Sequence, residues 1–511
     1  MRPSSFPLAI DHDDRTPLFM AISRAIARDI ARGRLRPGDA IPGTRTLAAT
    51  LGVHRSTVVA AYAELVAQGW VATKPGGATE VTTAAPGLGV RRSATRLESP
   101  RGVAGRAGFR VDPLPFATPV WPDVATGAIE LWGGVPDLRL VPVELLSRAY
   151  RRAGRRSGAT LLGYSRDARG HEGLRRSIAQ LVSSVRGVAA SEDDVLVTRG
   201  SQMALDLVAR SLISPGDVVA IEALTYSSAL NVFRRAGAEV VPIPVDVHGL
   251  DTDALAALSE KRRVRLVYVT PHHQYPTTVT LSPTRRLALL HLARRKSIAV
   301  IEDDYDNEFH FDGRPVLPLA LDDPGGVVIY LGTFAKILAP GLRLGFVIAA
   351  RDLLARMAQE RALVDRQGDA VLECAVAELL EDGEVQRHVW RTRRIYHARR
   401  DALCAAIDHH FRSILAYVCP PGGLALWTQV DASIDPEVWR SRAAARGVHF
   451  QTGTQFAVDG SFVPFLRLGY ATLDERTLPT AIDRMLAALP AKGGSQRRGP
   501  RLNRSGTRFS R

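Results

Sequence analysis

The residues able to do covalent chemistry stand together in two short stretches. After an apolar run at 298–301 come Asp303, Asp304 and Tyr305, and after a second at 327–331 come Thr333 and Lys336, with Arg343 a little further on. Runs rich in Val and Ile that end in polar groups are what buried strands of an α/β sheet give where they reach a binding crevice. A lysine for a Schiff base, an aspartate to hold a pyridinium nitrogen, a phenol near the ring and an arginine for a phosphate are the groups that pyridoxal phosphate requires. Singly each has a plainer reading, because a strand-end Asp or Lys is commonly a helix cap or a solvated charge. The cofactor reading rests on their joint pattern.

Positioning those groups takes alternating strands and helices. Strand-like runs at 195–198, 218–222, 239–245 and 266–270 alternate with helical ones at 202–212 and 284–295. This predicts a mostly parallel sheet with helices on both faces. Between the first strand and its helix lies Thr198-Arg199-Gly200-Ser201-Gln202, where backbone N–H groups and the positive helix end favour a phosphate. Past Lys336, helical stretches at 352–369 and 385–410, strands at 424–430 and 465–469 and a closing helix to about 489 predict a small C-terminal subdomain.

These stretches resemble the fold-type I aminotransferases, and most closely the MocR subfamily of GntR-type regulators, in which such a domain follows a DNA-binding one. The resemblance implies that Lys336 bonds the cofactor, Asp303 partners its pyridine nitrogen and Tyr305 neighbours its phenolic oxygen. It places Thr333, Arg343, Gly200, Ser201 and Gln202 around the phosphate and stacks Tyr226 on the ring. Tyr164 would reach a phosphate in the neighbouring subunit, and Arg467, in FLRLGYA, would bind the carboxylate of an amino-acid effector. A planar guanidinium fork suits a carboxylate. The chain departs from the family pattern at Ala335, where Ser is usual, at Leu224-Thr225 for Pro-Gly, and at Thr278 for the Gly that usually ends the loop TPHHQYPTT. Within that loop His272-His273 has no acidic or cysteine partner at ligand spacing, and no metal is assigned.

Near the N-terminus, Leu18, Ile22, Ile26 and Ile30 follow Thr16-Pro17 at every fourth residue, giving one apolar helical stripe that ends at Gly33. A short helix that Thr44 can cap bears Leu47, Ala48 and Leu51. After Gly52-Val53-His54-Arg55 another helix starts near Ser56 or Thr57 and buries Val58, Ala61, Tyr62 and Leu65. Two short helices around a tight glycine turn are a helix-turn-helix signature. The segments 70–73 and 79–82, flanking Lys74-Pro75-Gly76-Gly77, read as a hairpin wing. The order over about seventy residues resembles the GntR winged helix. That resemblance implies DNA contacts from Thr44, Arg45, Arg55, Ser56 and Thr57, with the tip at Gly76 and Gly77 reaching the minor groove or backbone.

A length of 511 residues demands more than one core, and the formal charge of +15 suggests a polyanionic partner. The expected division is a winged helix-turn-helix at 1–83, a Gly/Pro/Arg/Ser-rich linker at 84–116, an α/β aminotransferase-like domain of fold type I with a small α+β subdomain at 117–490, and a basic tail at 491–511 carrying seven Lys or Arg and no acid. Cys374, Cys404 and Cys419 form no CxxC pair, which argues for a reducing compartment. With no signal peptide or spanning run, a soluble, cytoplasmic protein is expected. The function implied is a transcriptional regulator that binds operator DNA and pyridoxal phosphate and senses an amino compound. The resemblance adds a homodimer with head-to-tail exchange of the DNA-binding domains. The alternative is a working aminotransferase with an accessory DNA-binding domain.

Overall fold

The computed structural model describes residues 8–10, 16–74, 78–83, 107–114, 116, 124–314 and 316–490. The wing tip at Gly76 and Gly77, most of the expected linker and the basic tail lie outside the described residues. The chain divides into two compact units, Met1–Pro113 and Leu114–Arg511.

In the first unit Pro17, with φ fixed near the helical value, leads into the helix Leu18–Ala31. Its stripe Ile22, Ile26 and Ile30 is fully buried and packs with Leu47, Val58, Ala61, Leu65, Val71 and Val81 in one core. The helices Thr44–Leu51 and Arg55–Ala67 follow. The wing strands Val71–Thr73 and Thr79–Val81 pair antiparallel as expected, and Ala40–Ile41, read in the sequence as part of a turn, adds a third strand beside Thr79–Val81. Gly43, not Thr44, is the N-cap of its helix. Thr44 is instead the first helical residue, and its hydroxyl accepts from Arg55 Nε at 3.4 Å, tying the two helices together. The second of these helices starts one residue earlier than expected because the His54 ring caps it, accepting from the Ser56 N–H at 3.3 Å.

The second unit is built on a seven-stranded sheet in the spatial order Val195–Thr198, Gly345–Ile348, Val328–Thr333, Ala299–Asp304, Val264–Val269, Val218–Glu222 and Glu239–Ile243. All neighbours are parallel except Gly345–Ile348, which runs antiparallel to both strands beside it. The strands Val218–Glu222 and Val328–Thr333 are buried along their whole length, which explains their unbroken apolar runs. The Ala299–Asp304 strand runs on through both aspartates, past the apolar run that marks it in the sequence. Register with the neighbouring strand continues through Asp303↔Leu331 and Asp304↔Gly332, and each carboxylate accepts from a buried phenol, so charge does not end the strand there.

A second sheet, in the order Leu415–Tyr417, Ala425–Val430, Phe465–Gly469, Gln451–Thr452, forms the small C-terminal subdomain. It does not consist of C-terminal residues alone. The segment Ile129–Glu130, from the start of the unit, pairs in parallel with Val448–His449, and the Gly469 N–H donates to the Leu131 carbonyl at 2.9 Å. Among the described residues no helix is long and apolar enough to cross a membrane.

Candidate functional site

The site lies at the carboxyl ends of the central strands, where their side chains leave the sheet. Asp303 is 6 % exposed and accepts from the Tyr268 hydroxyl at 2.8 Å across the strand pair. Burial pushes its carboxyl up to about 6, while the Tyr268 phenol and the Lys336 ammonium work against that rise. Next to it Asp304 has a different task. It takes the Tyr330 hydroxyl at 2.5 Å and the Asn307 amide at 2.9 Å, and its carboxylate lies 3.8 Å from the buried Arg186. The two neighbouring aspartates thus point to opposite faces of one strand, one to the site and one into the packing.

Lys336 is half-buried just after the Val328–Thr333 strand. It has no ion-pair partner among the described residues. Desolvation lowers its pKa below the ordinary lysine value, opposed by the charges of Asp306 and Asp303 and reinforced by those of Arg467 and Arg343. A shift in that direction eases loss of the proton, and the neutral amine is the form that bonds a carbonyl. Tyr305 donates to the His273 carbonyl at 3.0 Å, and burial first, then the Asp306 charge, raises its phenol well above the usual value. The ring of Tyr226 meets Tyr275 edge-on at 5.6 Å, and Tyr275 meets Tyr305 at 6.0 Å.

The expected phosphate groups converge through strand register. Thr333 pairs with Gly345, and Gly345 pairs with Thr198 on its other side, so the turn at Gly200 stands beside the end of the lysine's strand. Gly200 opens its helix with φ +75°, and a Cβ there would come within 3.1 Å of the Arg343 guanidinium. Arg343 in turn donates to the Arg199 carbonyl at 2.9 Å. The Thr333 hydroxyl accepts from the Ala335 N–H at 3.1 Å, which fixes the turn into Lys336 without the serine usual there. Ser201 and Gln202 lie in the first turn of the Gly200–Leu212 helix, which begins at Gly200 and not after the turn.

Arg467, on the Phe465–Gly469 strand, is 1 % exposed. Its Nη1 donates to the Pro276 carbonyl at 2.7 Å, its guanidinium carbon lies 4.3 Å from the Tyr275 ring centre, and its buried Nε has no acceptor. Among the described residues it has no carboxylate partner. Room for the side chain comes from Gly133, where a Cβ would lie 2.2 Å from Nε. A buried guanidinium with an unused donor is costly unless an anion completes it. Tyr164 is not brought to this cluster: it is 81 % exposed and stacks under the Arg366 guanidinium at 4.6 Å. Thr278, where the family has glycine, takes φ +64°.

Sequence reasoning singled out neither Tyr268, Tyr275, Gly133 nor Asp306. Each works through partners far away in the chain, and only the tyrosines left a sign, as aromatic residues at a strand end and beside a proline. Nor did it pair Cys404 with Cys419, whose thiols lie 3.7 Å apart. In the first unit Arg45, Arg55 and Ser56 are exposed at the helix starts, Thr44 and Thr57 are half-buried, and the Ser56 hydroxyl lies 2.6 Å from His54 Nδ1.

Comparison with known proteins covers both units. The model for aminotransferase class I and II matches residues 141–485, and that for bacterial regulatory proteins of the gntR family matches residues 20–81. The chain is 31 % identical to the probable rhizopine catabolism regulatory protein MocR of Rhizobium meliloti, over 95 % of this chain and 96 % of that protein. It is 33 % identical to the HTH-type transcriptional regulator TauR of Rhodobacter capsulatus, over 92 % and 96 %. Among solved structures, the multiple substrate aminotransferase of Thermococcus profundus superposes with a TM-score of 0.67 at 30 % identity, covering 71 % of this chain and 92 % of that one. The α-aminoadipate aminotransferase of Thermus thermophilus, complexed with N-(5'-phosphopyridoxyl)-L-leucine, gives 0.66 at 31 % identity, covering 71 % and 92 %.

Proposed function

The chain belongs to the MocR-type regulators, a gntR-family DNA-binding unit joined to an aminotransferase class I and II domain, and from that premise we propose that it reads a small amino compound in the Lys336 pocket and answers through operator DNA. It is a pyridoxal-phosphate-dependent, DNA-binding regulator. The observation that carries the sensing role is the pairing, in one pocket, of a desolvated lysine with a buried arginine that lacks an acid.

The residues present fit the cofactor. Gly200 leaves open the approach to Arg343 that a side chain would fill, Asp303 is fixed through one oxygen, and desolvation lowers the pKa of Lys336. Lys336 would hold it covalently, with Asp303 at the ring nitrogen, Tyr305 near the phenolic oxygen and Tyr226 against the ring. Thr333, Arg343, Gly200, Ser201 and Gln202 would hold the phosphate. When bound, pyridoxal phosphate supplies an aldehyde carbon that bonds reversibly to primary amines. Asp303 keeps a proton at the ring nitrogen, with Tyr268 orienting its carboxylate. Lys336 Nζ would be the group with which an effector's amine competes for that aldehyde carbon, and Arg467 would receive the effector's carboxylate as a planar fork. An effector held at both ends differs in affinity between two arrangements of the protein, and only such a difference shifts DNA binding.

The regulator would act in the cytoplasm as a head-to-tail homodimer, with Tyr164 serving the partner's site. Thr44, Arg45, Arg55, Ser56 and Thr57 would meet the operator, and Gly76 and Gly77 would form the wing tip. The proposed division remains 1–83, 84–116, 117–490 and 491–511.

Borohydride reduction followed by peptide mapping should place the label on Lys336, and operator affinity should respond to an amino acid in the wild type but not in Lys336→Ala. Label elsewhere, or an undiminished response in that variant, would refute the sensor. A second reading, an active aminotransferase, is favoured by the full pocket and by aminotransferase relatives matching about 70 % of the chain. Sustained amino transfer to a keto acid would support it, whereas binding without turnover supports the sensor.

A further inference from the structure

Next to the Tyr305–His273 contact, three histidines meet in the protein interior. His272, His273 and His310 are 6 %, 1 % and 6 % exposed, and one ring nitrogen of each lies within 4.8 Å of those of the other two. The first two belong to the loop after the Val264–Val269 strand. The third follows the short helix Asn307–Phe309 and is bridged to Gly422 of the small subdomain.

The hydrogen bonds fix what two of these rings offer. His272 Nδ1 lies 3.1 Å from the Val316 carbonyl and His273 Nδ1 lies 2.9 Å from Asp306 Oδ1. A carbonyl and a carboxylate only accept, so both Nδ1 atoms carry a proton, and it is the Nε2 of each ring that is left to take a further partner. Neither Nε2 has a hydrogen-bond partner, nor does either ring nitrogen of His310. The Asp312 N–H nearby donates to the Pro421 carbonyl at 3.1 Å. Gly422 keeps the space beside His273 Nε2 clear, since a Cβ there would stand 2.7 Å from it. Three imidazoles packed only as aromatic rings would leave these buried nitrogens unsatisfied, which native interiors avoid.

We propose that His272, His273 and His310 bind a divalent transition-metal ion of the zinc class, in a buried site that ties the His272-His273 loop and the Asp306–His310 turn to the small subdomain. Imidazole ligands suit such an ion, and three of them leave one position of a tetrahedron for another ligand. Zinc–nitrogen bonds of about 2.0–2.1 Å set tetrahedral ligands about 3.3 Å apart, so the ring nitrogens, within 4.8 Å of one another, close in by up to about 1.5 Å on loading. The outer partners are those expected of histidine ligands: Asp306 behind one and a backbone carbonyl behind another, each holding the tautomer that frees Nε2. The sequence hides the site because His310 comes from a different loop, where no ligand spacing can reveal it. Because His273 also holds the Tyr305 hydroxyl through its carbonyl, the metal would steady the phenol side of the cofactor pocket.

The test uses full-length protein with its cofactor, free of any histidine tag, expressed in zinc-supplemented medium and dialysed against metal-free buffer. Elemental analysis should find about one zinc per chain, a bound structural ion being retained through dialysis. His272→Gln and His310→Gln should lose it, Asp306→Asn should weaken it about 10- to 100-fold, and the surface control His409→Ala with His410→Ala should keep it. Cobalt(II) in place of zinc should show the ligand-field bands of a four-coordinate nitrogen site, at longer wavelengths than the cofactor absorbs. Wild-type protein without zinc, or zinc retained in both glutamine variants, overturns the proposal. If those variants fail to fold, the wild-type cobalt spectrum decides, and the absence of four-coordinate bands overturns it equally.

Discussion

Arg467 shows how much one side chain can be asked to do. Its fork is buried against Tyr275 and the Pro276 carbonyl while Nε goes unused. Charge-assisted hydrogen bonds contribute about 1.5–3 kcal/mol each, so Arg467→Ala should weaken a carboxylate-bearing amine about 10- to 150-fold. Cofactor content should be unchanged, because Arg467 is not among the groups expected to hold the cofactor. Titrating the holoprotein's absorbance with a panel of amino acids and simple amines checks this: a loss shared equally by amines without a carboxylate would contradict the assignment. Residue identity was the most legible layer in the sequence where a motif surrounds the residue, as at Lys336 and Asp303. It was least legible where the role depends on a partner distant in the chain. Nothing local marks Tyr268 as the phenol that orients Asp303, or Gly133 as the gap into which Arg467 fits.

At the scale of elements, the apolar stripe of Leu18–Ala31 marked the centre of its buried face, because a spacing of four stays on one side of a helix: Ile22, Ile26 and Ile30 are fully buried, Leu18 only half-buried, and Ala21, Ala25 and Asp29 complete the face. Ile26→Ala should therefore cost the first unit about 2–5 kcal/mol. In a melting experiment the transition lost with DNA binding should fall, while the one followed by cofactor absorbance stays in place. Arg55→Ala, at the exposed start of the helix Arg55–Ala67, should weaken all DNA sequences alike and reduce the salt slope by about one; an unchanged slope would remove it from the phosphate contacts. Strand ends were harder to read than helix faces. Hydropathy ended the Ala299–Asp304 strand at its last isoleucine, whereas the ladder runs on to Asp304 because Tyr268 and Tyr330 meet the two carboxylates from neighbouring strands. The antiparallel strand Gly345–Ile348 is hidden for another reason: it follows Arg343 with no intervening helix, so it falls outside the alternation of strand and helix that marks the other strands.

For the whole molecule, the buried sheet carboxylates set an unusual pH dependence. Burial pushes Glu222 and Glu302 up to about 7 and Asp303 and Asp304 up to about 6. The unfolded chain releases these protons near pH 4, so the folded state holds more protons between about pH 4 and pH 7, and each group contributes about 1.4 kcal/mol for every pH unit that separates its folded from its unfolded pKa. The stabilisation is present at the acid end of this window and is lost as pH rises through it. Below it, groups such as Asp137 and Asp167, held low by arginines, lose theirs. Cofactor-free protein should thus melt highest near pH 5 and lower at pH 8, as calorimetry across pH would show; a midpoint that rises steadily to pH 8 would contradict the burial of these groups. The lacing of Ile129–Glu130 onto Val448–His449, with Gly133 against Arg467, has a further consequence for a chain being synthesised. The core of the DNA-binding unit is complete once Val81 has been made, but the arginine pocket waits for residue 467 to return to residues waiting since position 133. A chain broken between those points would carry the complete core of the DNA-binding unit without the arginine pocket.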